Sequence, residues 1–194
     1  MKAIKEMSDG LSRESDYLRG MISEFGAEGF YGWEGIYYFL YEYNLELQSK
    51  SKTERSKIFW AEFNEPKKDN ITVEHIFPRQ ARHPTWASNF GGFTQKQRTS
   101  LRNSLGNLLP LSRAKNASLS NKPFDLKKTG IGDSVVGYMY GSYAENEVCK
   151  EEIWGPDQIL ARGMKLLAFM ERRWEIKIGD QEMYKRMLGL SFLD

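Results

Sequence analysis

The stretch ITVEHIFP at residues 71–78 constrains the fold of this chain most. It is β-branched and apolar around a Glu-His pair, which reads as a buried strand, and Pro78 ends it because proline cannot donate to a sheet ladder. Neighbouring strand residues point to opposite faces. Glu74 and His75 can therefore serve one site only if the strand bends or stops beside them.

A second short apolar run, LGNLLPLS at 105–112, reads as a partner strand. Pro110 within it removes a ladder donor, so this strand is expected to lie at a sheet edge or to bulge. Ser112 suits the N-cap of a helix through RAKNASLS, which Asn121-Lys122-Pro123 would end. Residues 79–104 are polar, contain Gly91-Gly92, and read as a long loop or irregular excursion. The order expected is strand, loop, strand, helix.

Helical patterns flank this middle. Leu18, Met21, Ile22 and Phe25 recur at helical spacing, with Gly26 as the expected stop. Ile36, Phe39, Leu40, Tyr43 and Leu47 make a second, aromatic stripe suited to a core. Near the C-terminus, Pro156 suits a first helical turn, and Ile159, Gly163, Leu166, Leu167, Met170 and Trp174 share one face. The expected fold class is α+β and mostly helical. One domain is expected over residues 1–194: a helical part (1–70), a mixed middle (71–128) and a second helical part (129–194).

Charge is uneven. Residues 71–128 hold ten Lys/Arg and two acids, a net +8, so a whole-chain charge of +2 leaves −6 for the rest. A basic middle is the footprint of a polyanion partner, or else a solvated cationic face. One cysteine, Cys149, excludes an intrachain disulfide and a multi-cysteine zinc site. No apolar run approaches a membrane span and the N-terminus has no signal-peptide core, so a cytoplasmic protein is expected.

Within the middle, Glu74-His75 end one strand, Asn107 starts the next, and Asn116 sits on the helix nine residues later. Such a unit can bring Glu74 and Asn116 to one divalent ion through oxygen donors, as Mg²⁺ prefers, with His75 beside it as a base.

These residues carry a resemblance. VEHIFP…LGNLLPLSRAKNASLSNKPFDLKK resembles the HNH (His-Me finger, ββα-metal) nucleases. It is more closely similar to the C-terminal HNH domain of GmrSD-type modification-dependent restriction enzymes. That branch carries an EHI-x-P-Q element, a tryptophan-containing spacer (here Trp86), then LGNL-x-x-LS-x-x-x-N-x-x-LSN-x-x-F. The core resemblance covers residues 71–128, and ILAR followed by Trp174 resembles the branch's closing helix. Two departures are Arg79 ahead of Gln80 and proline at position 110.

The resemblance implies a ββα-metal core and a phosphodiester hydrolase acting on DNA as the effector of an anti-phage restriction system. It implies His75 as general base, Asn107 as the residue that braces the loop and orients that base, and Glu74 and Asn116 as ligands of Mg²⁺, or of Mn²⁺ in its place. Products would carry 5′-phosphate and 3′-hydroxyl ends. Arg79, Arg113, Lys115 and Lys122 are the expected phosphate contacts. Relatives usually add an N-terminal ParB-like nucleotidase domain with an Asp-Gly-Gln-Gln-Arg motif, absent here, so the expectation is an excised effector domain or a stand-alone version. The alternatives are a non-catalytic nucleic-acid-binding module on the same fold and a protein-interaction module using the aromatic helices. His83 is expected on a surface loop, Asn121 at a helix end, Cys149 in packing, and Trp86 and Phe93 pinning the spacer.

Overall fold

The computed structural model describes residues 16–64 and 70–193. The expectation of no N-terminal leader falls on residues 1–15 and lies outside them. Helix α1 covers 16–28 among the described residues. It is followed by α2 (Ile36–Lys50), α3 (Ala61–Asn64), strand β1 (Ile71–His75), α4 (Pro84–Phe90) and α5 (Gln95–Asn103). A 3-10 turn (Leu105–Asn107) leads into β2 (Leu108–Ser112) and α6 (Arg113–Leu119). Then come α7 (Phe124–Thr129), the short strands β3 (Gly130–Ile131) and β4 (Val135–Val136), a 3-10 turn (Tyr138–Tyr140), α8 (Tyr143–Val148), α9 (Pro156–Trp174) and α10 (Gln181–Met187).

β1 and β2 pair antiparallel without a bulge, from Ile71 opposite Ser112 to His75 opposite Leu108. Pro110 faces Val73 in this two-stranded sheet, where each strand is an edge and a missing donor is tolerated. α6 follows β2 directly. Its N-cap is Ser112, whose hydroxyl accepts from the Lys115 amide at 3.4 Å. The helix stops at Leu119, ahead of Asn121-Lys122-Pro123, because Ser120 turns to φ 42°.

The polar stretch 79–104 is not an irregular loop. It folds into α4 and α5, each with a start signal. Pro84 sits in the first turn of α4, behind the His83 cap, and Thr94 and Gln97 close a reciprocal capping box on α5. Trp86 and Phe90, one turn apart, bury themselves against Phe77, and the Phe77 and Phe90 rings stack at 3.7 Å. Gly26 does not stop α1 either. The helix runs to residue 28 and turns at Gly29, φ 77°. Gly26 is needed for a different reason, since a Cβ there would meet the Arg186 carbonyl oxygen 2.5 Å away.

One hydrophobic cluster runs from Ile22 on α1 through the middle to Leu190 beyond α10. In it Phe39 of α2 packs on Phe169 and Trp174 of α9. A small satellite of Ile58, Phe63 and Ile71 lies beside it. Helix α9 also fixes the turn that opens β2. The Arg162 guanidinium, buried at 7% exposure, donates to the carbonyls of Gly106 and Leu108 at 2.8 Å each. Gly106 lies so close to α9 that a Cβ would run into the Ile159 carbonyl oxygen. Replacing Gly106 with alanine is expected to destabilise the fold by about 3 kcal/mol, read as a lower urea midpoint.

Candidate active site

β1 ends at His75, as a site serving both members of the Glu-His pair requires. Beyond it the ladder is continued by a side chain. The Ile76 amide donates to the Asn107 carbonyl at 3.0 Å. The Phe77 amide then donates to Asn107 Oδ1 at 2.7 Å, and Asn107 Nδ2 donates to the Phe77 carbonyl at 3.1 Å. The Asn107 amide thus imitates a peptide group opposite Phe77. The same Nδ2 donates to the Arg102 carbonyl (2.9 Å), and the same Oδ1 accepts from Trp154 Nε1 (3.1 Å). Fully buried, Asn107 has no route to a substrate. It holds the segment that carries His75.

Glu74, His75 and Asn116 all line one open pocket of about 240 Å³, together with Tyr31, Arg79 and Asn121. Asn116 Nδ2 donates to Thr72 Oγ1 at 2.9 Å, which leaves its Oδ1 as the free acceptor. His75 is 6% exposed, and its Nε2 is buried without a hydrogen-bond partner. Its ring lies 4.2 Å from that of Tyr31, and the Arg79 guanidinium sits 4.8 Å from the same tyrosine ring.

Burial, aided by the charge of Arg79, pulls the His75 pKa down to about 4, so the ring is neutral at physiological pH. In the unfolded chain it titrates near the ordinary 6.5. Between those values the unfolded state binds more protons, so stability is complete above pH 6.5 and declines as the pH falls toward 4. The expected decline is on the order of 3 kcal/mol. Denaturant titrations of metal-free protein from pH 7 to pH 4 measure it, and His75→Ala should flatten that slope.

Glu74 is more engaged than the sequence suggests. Its Oε1 pairs with the Lys127 ammonium and accepts from the Tyr138 hydroxyl at 3.2 Å. Lys127 also donates to the His75 carbonyl at 3.1 Å. Burial pushes the Glu74 carboxyl up and the Lys127 ammonium down, each opposed by the partner's charge. By sequence Lys127 counts only as one more cation in the basic middle, yet its side chain is fully buried. The signal for this is its position three residues after buried Phe124, on the same helical face. Lys127→Met strands a buried carboxylate and is expected to cost about 3 to 5 kcal/mol. Adding Glu74→Gln should recover much of that in thermal melts.

The four expected phosphate contacts separate. Arg79 lines the pocket. Arg113 is exposed at the start of α6 but does not line it. Lys122 is half-buried and donates to the Ser118 carbonyl at 2.6 Å. Lys115 is placed apart from them. Its ammonium pairs with Glu145, with only 14% of its side chain exposed, and it lines a different cavity. The sequence could not show that α8 would bring Glu145 to it. Asn121 sits past the end of α6 and its Oδ1 accepts from the Gln80 amide at 3.4 Å. His83 is exposed and caps α4, while Cys149 is half-buried beside the core, its thiol pushed up to about 11 by burial.

The donors suit a hard, oxygen-seeking ion held by few protein ligands. Among the described residues no group of three or more His, Cys, Asp or Glu side chains comes together. A zinc-type cage is therefore not built from them, whereas Mg²⁺ commonly takes one or two protein oxygens and completes its shell with water and phosphate. Glu74 and Asn116 at one pocket fit that pattern.

The sequence profile described as "GmrSD restriction endonucleases, C-terminal domain" matches residues 22–169. The chain belongs to that family. No curated protein and no solved structure matches it. The match runs from within α1 through most of α9, so the GmrSD C-terminal domain includes the turn clamped by Arg162 as well as the pocket. Membership points to a restriction-nuclease module and, for a domain described as C-terminal, to further domains in such proteins. Among the described residues no helix is long and apolar enough to cross a membrane.

Proposed function

We propose that this GmrSD C-terminal domain is an HNH endonuclease that hydrolyses DNA phosphodiester bonds with Mg²⁺, or Mn²⁺ in its place. The observation that carries this reading is the convergence of Glu74, His75 and Asn116 on one pocket. Glu74 and Asn116 would hold the ion. When bound, it supplies charge stabilisation at the scissile phosphate and the leaving 3′ oxygen. Neutral His75 takes a proton from the attacking water. Asn107 keeps the His75 segment in place, Tyr31 limits the ring's tilt, and Arg79 at the pocket rim contacts a phosphate oxygen. Cleavage leaves 5′-phosphate and 3′-hydroxyl ends.

In the restriction system, recognition of modified DNA and any nucleotide-dependent control would lie in an accompanying ParB-like nucleotidase domain or subunit, with this domain cutting. The non-catalytic reading draws on one observation, the Lys127 ammonium already on Glu74 Oε1. Incubating supercoiled plasmid with the protein decides between them. Nicking that requires Mg²⁺ or Mn²⁺ and stops in EDTA is the expected result. Salt-sensitive DNA binding with intact plasmid at every metal tried would favour the binding module.

A further inference from the structure

A cavity of about 830 Å³ lies away from His75, between α1, α5 and α10. Three cations reach it from three elements: Arg19 of α1, Lys96 of α5 and Arg186 of α10. Arg19, Lys96 and Arg186 are all exposed. Gln97 and Ser100 add hydrogen-bonding groups, and among the described residues no carboxylate lines it. Among those residues Arg19 pairs with Asp16, at 3.8 Å between two exposed side chains, which is weak. The arrangement is built by close packing. Gly26 of α1 lies against the Arg186 carbonyl, and a Cβ on Gly189 would come 2.8 Å from the Gly26 carbonyl oxygen. Two side-chain-free positions therefore bring α1 and α10 together and set Arg19 and Arg186 at one cleft.

Helix α5 runs from this cleft toward the His75 pocket. Lys96 and Ser100 also line a smaller recess that ends at Asn103 and carries one acid, Glu28. Asn103 closes α5, where its side chain lies close enough to His75 to oppose the lowering of its pKa. Next to it, Arg102 donates to the Pro78 carbonyl at 3.1 Å and lies close enough to Arg79 and Arg98 to feel both charges. Lys96 and Asn103 stand at opposite ends of this helix, about 10 Å apart along its axis. Duplex DNA rises about 3.4 Å per base pair, so that is a span of about three base pairs.

We propose that this cleft is a second DNA-backbone site, in which Arg19, Lys96 and Arg186 hold phosphates about three base pairs or more from the bond that His75 cuts. The inference rests on the nuclease reading for its substrate. The cleft positions the duplex and contributes affinity, while the chemistry stays at the His75 pocket.

The test is fluorescence anisotropy with a labelled duplex of about 20 base pairs in EDTA, so that nothing is cut, for wild type and for Arg19→Ala/Lys96→Ala/Arg186→Ala. The triple variant should bind about tenfold more weakly at low salt, and its salt slope should fall by about 0.9 for each phosphate it no longer holds. A control removing Lys50, Arg172 and Arg173, which are paired to Glu46 and Glu42, should change neither. Unaltered melting temperatures show that each variant is folded. Wild-type affinity and salt slope in the triple variant would overturn the proposal and leave an acidic protein surface as the candidate occupant. Parallel plasmid assays separate the two readings. If wild type never nicks DNA with Mg²⁺ but the triple variant still binds DNA more weakly, the nuclease reading falls and the second site is upheld.

Discussion

His75→Ala should lower Mg²⁺-dependent plasmid nicking by about two to four orders of magnitude, the usual contribution of a positioned general base. The physical reason is the state of this ring in the folded protein. It is neutral down to about pH 4. The variant should bind duplex DNA as wild type does and remain folded at neutral pH, so the deficit should appear in the single-turnover rate. A variant that nicks at the wild-type rate would remove His75 from the chemistry.

Asn107→Ala should produce a large drop in stability. The substitution leaves the Phe77 amide and Trp154 Nε1 without their acceptor, and the carbonyls of Phe77 and Arg102 without their donor, all in the interior. At about 1 to 3 kcal/mol for each stranded buried group, partly relieved by relaxation, the expected cost is on the order of 4 kcal/mol. Nicking should fall as well, since releasing Phe77 lets His75 drift, and an ångström of misplacement can cost about a hundredfold. Trp154→Phe supplies the graded comparison. It removes one of these bonds and leaves the Phe77 pairing intact, so it should cost about 1 kcal/mol with little change in rate. Equal effects from the two variants would show that the Phe77 pairing has no special part in holding the site.

Much of this architecture is legible in the residues. Local rules acted where the chain obeys them: Pro78 follows a strand end, Ser112 caps α6, Pro156 opens α9, and the aromatic stripe of α2 turns inward. The spacer 79–104 misleads because its helices are short and mostly polar, so periodicity is faint. The stronger signals are the Thr94/Gln97 capping box and the one-turn spacing of Trp86 and Phe90. Gly26 looks like a stop by composition, and only the approach of α10 shows that it is a contact residue.

At the site, Glu74, His75 and Asn116 are legible as a set, whereas their surroundings are not. Lys127 and Tyr138 reach Glu74 from 53 and 64 positions away in sequence, and Tyr31 reaches His75 from the N-terminal side. Lys115 is held by Glu145 of α8 at a different cavity. Such partners are set by tertiary packing, which no local pattern encodes.

The most direct measurement of the central claim is anomalous diffraction from crystals of the protein soaked in Mn²⁺. The account predicts one strong peak in the His75 pocket, within coordinating distance of the Glu74 carboxylate and Asn116 Oδ1, which weakens in Asn116→Ala crystals. A protein that nicks DNA with Mn²⁺ yet shows its peak elsewhere, with Glu74 and Asn116 bare, would contradict it.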